Sequence, residues 1–300
     1  MIQIGVDFGG TKIEAAALNA TGDFVARVRA PNPGSYDAAI QTVCALVGEV
    51  ESIAGGTGTL GVGVPGSISP NSGVMRNANT VWLNGRNFQD DLSRAIKRPI
   101  RMANDANCLA LSEALDGAAH GSKIAFAAIL GTGCGGGLVV NGNLIEGANG
   151  IGGEWGHVPL PPAADEDGKQ PLCWCGQRGC NEMWISGSGL QRDYEATHGE
   201  FITSEDIIGL MRRGDARASA TFNRYVDRLG RALSTICNIV DPDTIVFGGG
   251  ISNVTEIYSA LPAIIRSYVF SDAWDAKLVP ARWGDSSGVR GAARLWKSSQ

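Results

Sequence analysis

Several features that would assign a chain to a large class at once are missing from this 300-residue sequence. No run of 18 apolar residues is present, which excludes a transmembrane helix. The start, MIQIGVDFGG, lacks the basic residues, apolar core and cleavage site of a secretory leader, so we expect a cytoplasmic protein. A net charge of −5 argues against nucleic acid or a membrane surface as the partner.

Histidine and cysteine are scarce, with three and seven residues. Cys44, Cys108 and Cys237 stand alone in apolar surroundings and are interpreted as buried free thiols. The exception is CWCGQRGC (173–180), which holds three cysteines. In a reducing compartment such a cluster is more often a metal site than a disulfide. A local disulfide and unliganded thiols remain the alternatives.

Glycine is abundant, at 42 residues, and is concentrated in turns that follow apolar runs. The stretches 4–18 and 126–140 share one plan of apolar run, Gly turn and second apolar run, and a third Gly turn lies in 244–252. We interpret the first two as a weak internal repeat. One such turn would be an ordinary hairpin, but three favour a cradle for nucleotide phosphates.

Two familiar nucleotide-binding motifs do not account for these turns. Gly131, Gly133 and Gly136 fit G-x-G-x-x-G, but the residues that follow predict a β-hairpin turning at Asn141-Gly142, not the helix that a Rossmann site needs. The P-loop pattern G-x-x-x-x-G-K-[ST] is absent. Phosphate would therefore be held by backbone N–H groups of the turns.

The rest of the chain alternates strand and helix patterns, which predicts an α/β protein. Helices are predicted at 35–54 and 219–240, a strand at 59–68, a strand followed by a helix within 98–117, and a Pro-rich loop at 159–172. The small residues of 117–122 suit a domain junction. We predict a small N-terminal domain at 1–117, a large domain at 118–285 carrying the cysteine loop, and a C-terminal helix at about 286–300 that packs back on the first domain.

Six motifs, in this order, resemble those of the ROK family of sugar kinases: DFGGTKI (7–13), ANDANCLALSEA (103–114), ILGTGCGGG (129–137), GEWGHVPL (153–160), CWCGQRGCNE (173–182) and FGGG (247–250). The resemblance runs from residue 2 to about 297. It implies the actin-like ATPase (ribonuclease H-like) fold, in which two α/β domains, each built on a mixed five-stranded sheet, hold ATP and sugar in the cleft between them. It also suggests a homodimer.

Within the family, NANTVWLNG (77–85) and GDSSGVRGAARLW (284–296) look most like the bacterial fructokinase or mannofructokinase branch, and fructokinase, EC 2.7.1.4, is the expected activity. The expected reaction is therefore ATP-dependent conversion of D-fructose to fructose 6-phosphate. N-Acetylglucosamine kinase is the closest alternative, followed by mannose or glucose kinase. An alternative from another class is a sugar-sensing regulatory protein without catalysis, although the family's repressors carry a DNA-binding domain before the Gly turn, which starts here at residue 7.

The family resemblance also bears on the cysteine cluster. Zinc prefers four tetrahedral ligands, and His157 is the candidate to join Cys173, Cys175 and Cys180, as the matching residues do in ROK kinases. Four protein ligands make the zinc structural. Glu154 and Glu182 flank the ligands and match two sugar-contacting glutamates of the family.

The resemblance assigns the chemistry to Asp105, as the general base that deprotonates the sugar. Alone, an Asp at a strand-to-helix junction would be interpreted as a helix cap. Asn104 would fix neighbouring hydroxyls, and Asn79 would face the sugar where Gly66 lets the chain pass closely. With Glu154, His157 and Glu182 these residues form the expected substrate site.

The nucleotide site is expected at the Gly turns. The predicted phosphate contacts are Gly9, Gly10, Thr11, Thr132, Gly133, Gly135 and Gly136, and the Gly248, Gly249 and Gly250 turn would lie against the adenosine. Asp7 would hold Mg²⁺ through water, although it could be only a turn former. Lys12 could contact phosphate or be an exposed turn lysine.

Overall fold

The structure is a computed structural model that describes residues 2–162 and 169–296. Two predicted segments fall partly outside this range. Residues 163–168 of the predicted loop and residues 297–300 of the predicted C-terminal helix lie outside the described residues. Among the described residues, no helix is both long and apolar enough to cross a bilayer.

Strands and helices alternate along the described chain. The strands are β1 Gln3–Phe8, β2 Lys12–Leu18, β3 Phe24–Pro31, β4 Thr59–Val64, β5 Ser67–Ile68, β6 Met75–Arg76, β7 Arg101–Asn104, β8 Ile124–Leu130, β9 Cys134–Val140, β10 Asn143–Leu144, β11 Thr244–Gly248 and β12 Lys277–Pro280. The helices are α1 Tyr36–Ala54, α2 Phe88–Ile96, α3 Asp105–Asp116, α4 Glu182–Ile185, α5 Gly187–His198, α6 Ser204–Arg212, α7 Ala216–Val240, α8 Glu256–Tyr268 and α9 Ser287–Ala293. Four 3₁₀ turns span Val81–Leu83, Trp155–His157, Gly250–Asn253 and Gly284–Ser286.

The chain divides into two compact units. Unit 1 comprises Met1–Gly121, Gly137–Gly153 and Arg282–Gln300, and unit 2 comprises Ser122–Gly136 and Glu154–Ala281. The larger sheets have the orders β3-β2-β1-β4-β7 and β10-β9-β8-β11-β12. Each order contains a pair of strands joined by a Gly turn, β1-β2 or β8-β9, which is the internal repeat that the sequence indicates.

Unit 1 is organised around its five-stranded sheet. β2 is antiparallel to β1 and β3, whereas β4 is parallel to β1 and β7. Alternate residues of β1, including Ile4, Val6 and Phe8, join the core that contains the apolar side of α1. Helix α9 packs on β1, β2 and β4, and also on α3. The sheet thus carries Asp7 and Asn104 at the carboxyl ends of β1 and β7.

A fully buried carboxylate fastens two segments of unit 1. Glu113 is 0% exposed, and its oxygens accept hydrogen bonds from the backbone N–H of Ala118 (2.8 Å), Arg282 (2.9 Å) and Trp283 (3.1 Å), and from Ser287 Oγ (2.8 Å). Four donors replace the water that the charge loses on burial, so no cation is needed to stabilise it.

Strands β8, β11 and β12 of the second sheet lie in unit 2. β11 is parallel to β8 and β12, and Gly248 of β11 aligns with Ile129 of β8. The turns after β8 and β11 therefore lie at the same edge of the sheet. The long helix α7 packs against α8, α6, α5 and α4, and its buried side includes Phe222, Tyr225 and Leu229.

Most predicted elements are confirmed, with two boundary corrections. Helix 35–54 is found as α1, and the hairpin turn falls at Asn141-Gly142, where both residues have positive φ. The helix predicted from 219 begins at Ala216, because Asp215 caps it by accepting from the N–H of Ala218 (2.8 Å). The C-terminal helix predicted to begin at about 286 ends at Ala293.

Candidate active site

The functional residues predicted in unit 1 gather at one edge of its sheet. Asp7 pairs with Gly63, and Asn104 pairs with Val64, so Asp7 and Asn104 end strands on either side of β4. Neighbouring strands lie about 4.8 Å apart, which brings the two positions within about 10 Å. Ligand-binding residues in α/β proteins typically occupy this carboxyl edge.

Two adjacent residues, Asn104 and Asp105, occupy the junction between β7 and α3. Asn104 is the N-cap, and its Oδ1 accepts from the N–H of Ala106 at 2.8 Å, while its Nδ2 donates to the carbonyl of Gly66 at 3.0 Å. Asp105 is already the first residue of α3, and its Oδ1 lies 2.7 Å from the same N–H. Helix capping at this junction therefore does not depend on Asp105 alone.

The loop that was predicted to face the sugar passes close to Gly66. Gly66 has φ of 74°, and a Cβ there would lie 2.3 Å from the carbonyl oxygen of Arg76 and 2.6 Å from the nitrogen of Ala78. Asn84 holds the loop closed through two bonds to the backbone of Ala78, at 2.9 and 3.0 Å. Asn79 is exposed on this loop. The close approach that the sequence predicts is present.

The first Gly turn joins β1 to β2. The N–H of Gly9 donates to the carbonyl of Lys12 at 3.0 Å, and Gly10, Thr11 and Lys12 are exposed. Asn32, which sequence reasoning missed, fixes this turn: its Nδ2 donates to the carbonyl of Gly9 at 2.8 Å, and its backbone N–H donates to the carbonyl of Thr11 at 2.9 Å. The first Gly turn is therefore fixed by a residue that lies outside the turn itself.

Asp7 lies among like charges at this edge. Burial, followed by the negative charges of Asp105 and Glu14, raises the pKa of Asp7 from 3.8 to about 6, and the charge of Lys12 opposes the shift. A carboxylate in this position is ready to accept a cation, because a cation would offset the burial and the repulsion together. The donor type suits Mg²⁺, which binds oxygen and keeps several waters.

The Gly turns of unit 2 line a pocket of about 600 Å³. Gly131 and Thr132 contribute from the turn after β8, and Gly250 contributes from the turn after β11. Sequence reasoning missed the polar residues that the helices and the 3₁₀ turn add to this pocket: Ser188, Gln191, Ser204, Glu205, Arg212 and Asn253. Glu256 holds Arg212 through two bonds of 2.7 and 2.9 Å, and these bonds lower the pKa of Glu256 to about 2.

The glycines predicted at the phosphates are not all in the turns. Gly133 closes the turn after β8, where its carbonyl accepts from the N–H of Gly131 at 3.0 Å. Gly135 and Gly136 lie inside strand β9, and the carbonyl of Gly135 accepts from Trp155 Nε1 at 2.7 Å. Gly248 is buried at the end of β11, so Gly249 and Gly250 form the turn itself.

His157, Cys173, Cys175 and Cys180 converge in unit 2. Their ligand atoms all lie within 4.8 Å of one another, and Nδ1 of His157 is 3.7 Å from Sγ of Cys173. Tetrahedral zinc with Zn–S of about 2.3 Å requires ligand atoms about 3.5–3.8 Å apart, so the four residues fit this metal. Sγ of Cys175 and Sγ of Cys180 are 3.6 Å apart, well beyond a disulfide bond of about 2.05 Å.

Glu154 and Glu182, which flank the cluster ligands in the sequence, both lie near Cys134. Burial, followed by the charges of Glu182 and Glu154, holds the pKa of the Cys134 thiol well above its usual range. Glu154 precedes the 3₁₀ turn that carries His157, and Glu182 begins α4. Asn181 joins the two segments, since its Nδ2 donates to the carbonyl of Trp155 at 2.9 Å and its N–H donates to the carbonyl of Val158 at 2.8 Å.

Two sheets of the same strand order, with Gly turns at their edges, define the actin-like ATPase fold. The ROK family model matches residues 3–299, and the chain belongs to the ROK family. A relative from Pectobacterium atrosepticum, an N-acetyl-D-glucosamine kinase, is 40% identical over 97% of each chain. A ROK hexokinase from Thermus thermophilus superposes with a TM-score of 0.87 at 32% identity, over 98% of this chain and 97% of that one. A ROK glucokinase from Streptomyces griseus, solved with glucose and AMPPNP, gives 0.79 at 26% identity over 100% of both.

Proposed function

We propose that this protein is an ATP-dependent kinase that phosphorylates the primary hydroxyl of N-acetyl-D-glucosamine. The observation that supports it most is the identity of 40% over 97% of both chains to a kinase of this sugar. The convergence of Glu154, His157 and Glu182 in unit 2, and of Asp7, Asn104 and Asp105 in unit 1, supplies polar groups for a sugar and a nucleotide.

The expectation of fructose rests on two stretches, and the structure gives three of their residues other roles. In GDSSGVRGAARLW, Ser287 and Arg290 are buried at 0% and 3% exposure, and they bind Glu113 and Asp116. In NANTVWLNG, Asn84 shapes the loop through its bonds to Ala78. These three residues therefore do not favour fructose, and the relative that matches nearly the whole chain supports N-acetyl-D-glucosamine instead.

Asp105 is the proposed general base. As the sugar's primary oxygen attacks the γ-phosphorus of ATP, Asp105 takes the proton of that hydroxyl, and ADP leaves. Phosphoryl transfer depends mainly on positioning and charge neutralisation. One well-placed group that accepts the hydroxyl proton is therefore sufficient. The rigid junction formed by Asn104 and Gly66 would fix Asp105, and the second N–H of the Asn104 amide could bind a neighbouring hydroxyl.

Backbone N–H groups of the Gly turns would bind the phosphates of ATP. The candidate groups are those of Gly9, Gly10 and Thr11 in the first Gly turn and those of Thr132 and Gly133 in the second. Mg²⁺ held near Asp7 would supply neutralisation of the phosphate charge. The pocket with Gly250, Gln191 and Asn253 has the polar lining that an adenosine requires.

The sugar hydroxyls would be bound by Glu154, Glu182 and His157. Because Nδ1 of His157 faces Cys173, its Nε2 is the nitrogen available for a hydroxyl. A zinc ion held by the cluster would supply rigidity to the two loops and take no part in the chemistry, since four protein ligands complete its coordination.

A coupled ADP-release assay across four sugars tests the proposal. We expect kcat/KM for N-acetyl-D-glucosamine to exceed that for D-fructose, D-glucose and D-mannose by at least about tenfold, the discrimination that a pocket built for one polar substituent readily reaches. Fructose at the top of the panel would return the assignment to fructokinase. Sugar binding with no ADP release for any of the four sugars would favour a sugar-sensing protein instead.

A further inference from the structure

Trp174 stands between two of the cluster cysteines, and its side chain is 64% exposed. Large aromatic side chains usually fill a core or a binding surface, because exposing them to water is unfavourable. This one fills no core. Its role must therefore lie in the polar and aromatic groups that it contacts.

The indole of Trp174 holds one oxygen of Glu182. Its Nε1 donates to Oε1 of Glu182 at 2.7 Å, while Oε2 of the same carboxylate accepts from the backbone N–H of Cys134 at 3.0 Å. The two donors come from different segments, the cysteine loop and the end of the second Gly turn. With both oxygens bound, the plane of the carboxylate is fixed, and the remaining lone pairs point in defined directions.

The same indole also limits His157. The two rings meet edge to face, with centroids 4.9 Å apart and planes at 87°. Nδ1 of His157 points to Cys173, so the contact with Trp174 restricts rotation of the ring that carries Nε2. One exposed side chain therefore contacts two of the three residues of unit 2 that we assign to the sugar.

We propose that Trp174 is a positioning residue of the sugar site, which orients the Glu182 carboxylate through its indole N–H. The proposal rests on the proposed function, because it assumes that Glu182 binds a sugar hydroxyl. It assigns Trp174 no part in zinc binding and no part in proton transfer. Its effect should therefore fall on sugar affinity.

The test compares Trp174→Phe with wild type. Phenylalanine keeps an aromatic ring beside His157 and removes only the N–H. We expect the KM for the sugar to rise about tenfold, the typical effect of losing a hydrogen bond to a charged group. We expect kcat to change less than about twofold, because the variant keeps the proposed base, Asp105, and the Gly turns that would bind the phosphates. Zinc content, measured by elemental analysis, should equal that of wild type.

Trp283→Phe is the matched control. Trp283 Nε1 also donates to a carboxylate, Oδ1 of Asp116 at 3.0 Å, but both belong to unit 1 and neither is assigned to the sugar. This variant should leave the sugar KM unchanged. An equal rise in KM from both variants would mean that any such tryptophan bond acts through general stability, and it would overturn the proposal.

A double-mutant cycle separates positioning from a direct or structural role. If Trp174 acts through Glu182, then Trp174→Phe should change KM less than about twofold in a Glu182→Ala background, which has no acceptor for the indole, because the effects of substitutions at contacting residues are not additive. A full tenfold effect in that background overturns the proposal. So does an unchanged KM in the single variant, or loss of zinc or of folding by Trp174→Phe.

A measurement without turnover distinguishes failure of this proposal from failure of the proposed function. The indole N–H resonance of Trp174 can be identified in the NMR spectrum by its absence from Trp174→Phe. In Glu182→Gln this resonance should shift. If the resonance does not move, the inference is overturned even when the kinase is active. If the resonance shifts but the wild-type protein turns over no sugar, only the assigned reaction is overturned.

Discussion

A Cβ added to Gly117 would lie 2.2 Å from Oε2 of Glu113 and 2.6 Å from its Cα. The glycine thus leaves room for the buried carboxylate that binds Ala118, Arg282, Trp283 and Ser287. A side chain at this position must displace either the carboxylate or the backbone of α3.

The first prediction is that Gly117→Ala destabilises the protein. We expect a loss of about 1–3 kcal/mol, typical of overpacking in a closely packed region. Gly48→Ala is the control, because Gly48 lies in the exposed side of α1 and a Cβ there meets nothing within 4 Å. That change should stabilise by about 0.4–1 kcal/mol. Urea unfolding of both variants checks the opposite signs, and two variants of equal stability would contradict us.

The second prediction uses another pair of glycines to test the proposed nucleotide pocket. Gly249 has φ of 77°, and a Cβ there would lie 2.5 Å from the carbonyl oxygen of Leu130, whereas a Cβ on Gly250 meets nothing within 4 Å. Gly249→Ala should therefore distort both turns and raise the KM for ATP by at least about tenfold, the effect of about 1.4 kcal/mol. Gly250→Ala should have a much smaller effect. Initial rates at varied ATP, with saturating sugar, decide whether the backbone of this turn matters.

Much of the fold is predictable because its signals are local. The Gly turns at 9–12 and 131–133, the hairpin at Asn141-Gly142 and helix α1 each follow from a short stretch of sequence. The cysteine cluster is also local, apart from His157. These predictions need only turn chemistry, periodicity and ligand spacing.

The rest depends on residues far apart in the chain. Glu113 binds residues that lie about 170 positions away, and no periodicity indicates such a pair. Asn32, which holds the first Gly turn, carries no signal beyond being an Asn. GDSSGVRGAARLW resembled a substrate signature, but its buried Ser287 and Arg290 stabilise the fold. The Trp of CWCGQRGC does carry a local signal, because an aromatic residue between two metal ligands must either be exposed or contact another side chain.

The third prediction concerns the metal. We expect one zinc per chain in protein purified without chelator, and Cys173→Ser should remove most of it. Structural zinc contributes about 10–16 kcal/mol of apparent binding energy in small sites, so its loss should disorder the loops that carry Glu154 and Glu182 and abolish sugar binding. Cys44→Ser, at an isolated cysteine, should keep both the zinc and the sugar affinity. Elemental analysis with sugar calorimetry makes the comparison, and a zinc-free protein that binds sugar normally would refute the assignment.

The fourth prediction concerns pH. Because the pKa of Asp7 is raised to about 6, the folded protein holds a proton there between about pH 4 and 6 that the unfolded chain releases. This contribution to stability is present at low pH and is lost as the pH rises through 6. Asp7→Asn, which cannot ionise, should therefore be more stable than wild type at pH 7.5, and the difference should shrink toward pH 4.5. Thermal melts without Mg²⁺ or nucleotide measure it, and a pH-independent difference would contradict the shift.

The fifth prediction separates the roles of Asn104 and Asp105. Asp105→Asn should lower kcat by about 10²–10⁴, the usual contribution of a positioned general base, with little change in stability or in sugar KM. Asn104→Ala should instead cost about 1 kcal/mol of stability, because it removes the cap of α3. Steady-state kinetics and urea unfolding are needed on both variants. Near-normal turnover by Asp105→Asn would mean that Asp105 only supports the helix.

The separate roles of Asn104 and Asp105 also affect how such a chain can evolve. Since Asn104 caps α3 and anchors Gly66, the helix does not need an acid at position 105. If Asp105 is the base that we propose, a single nucleotide change from Asp to Asn would silence the proposed kinase and leave its proposed sugar site intact. On that proposal, one substitution separates a sugar kinase from a protein that binds the sugar without turning it over.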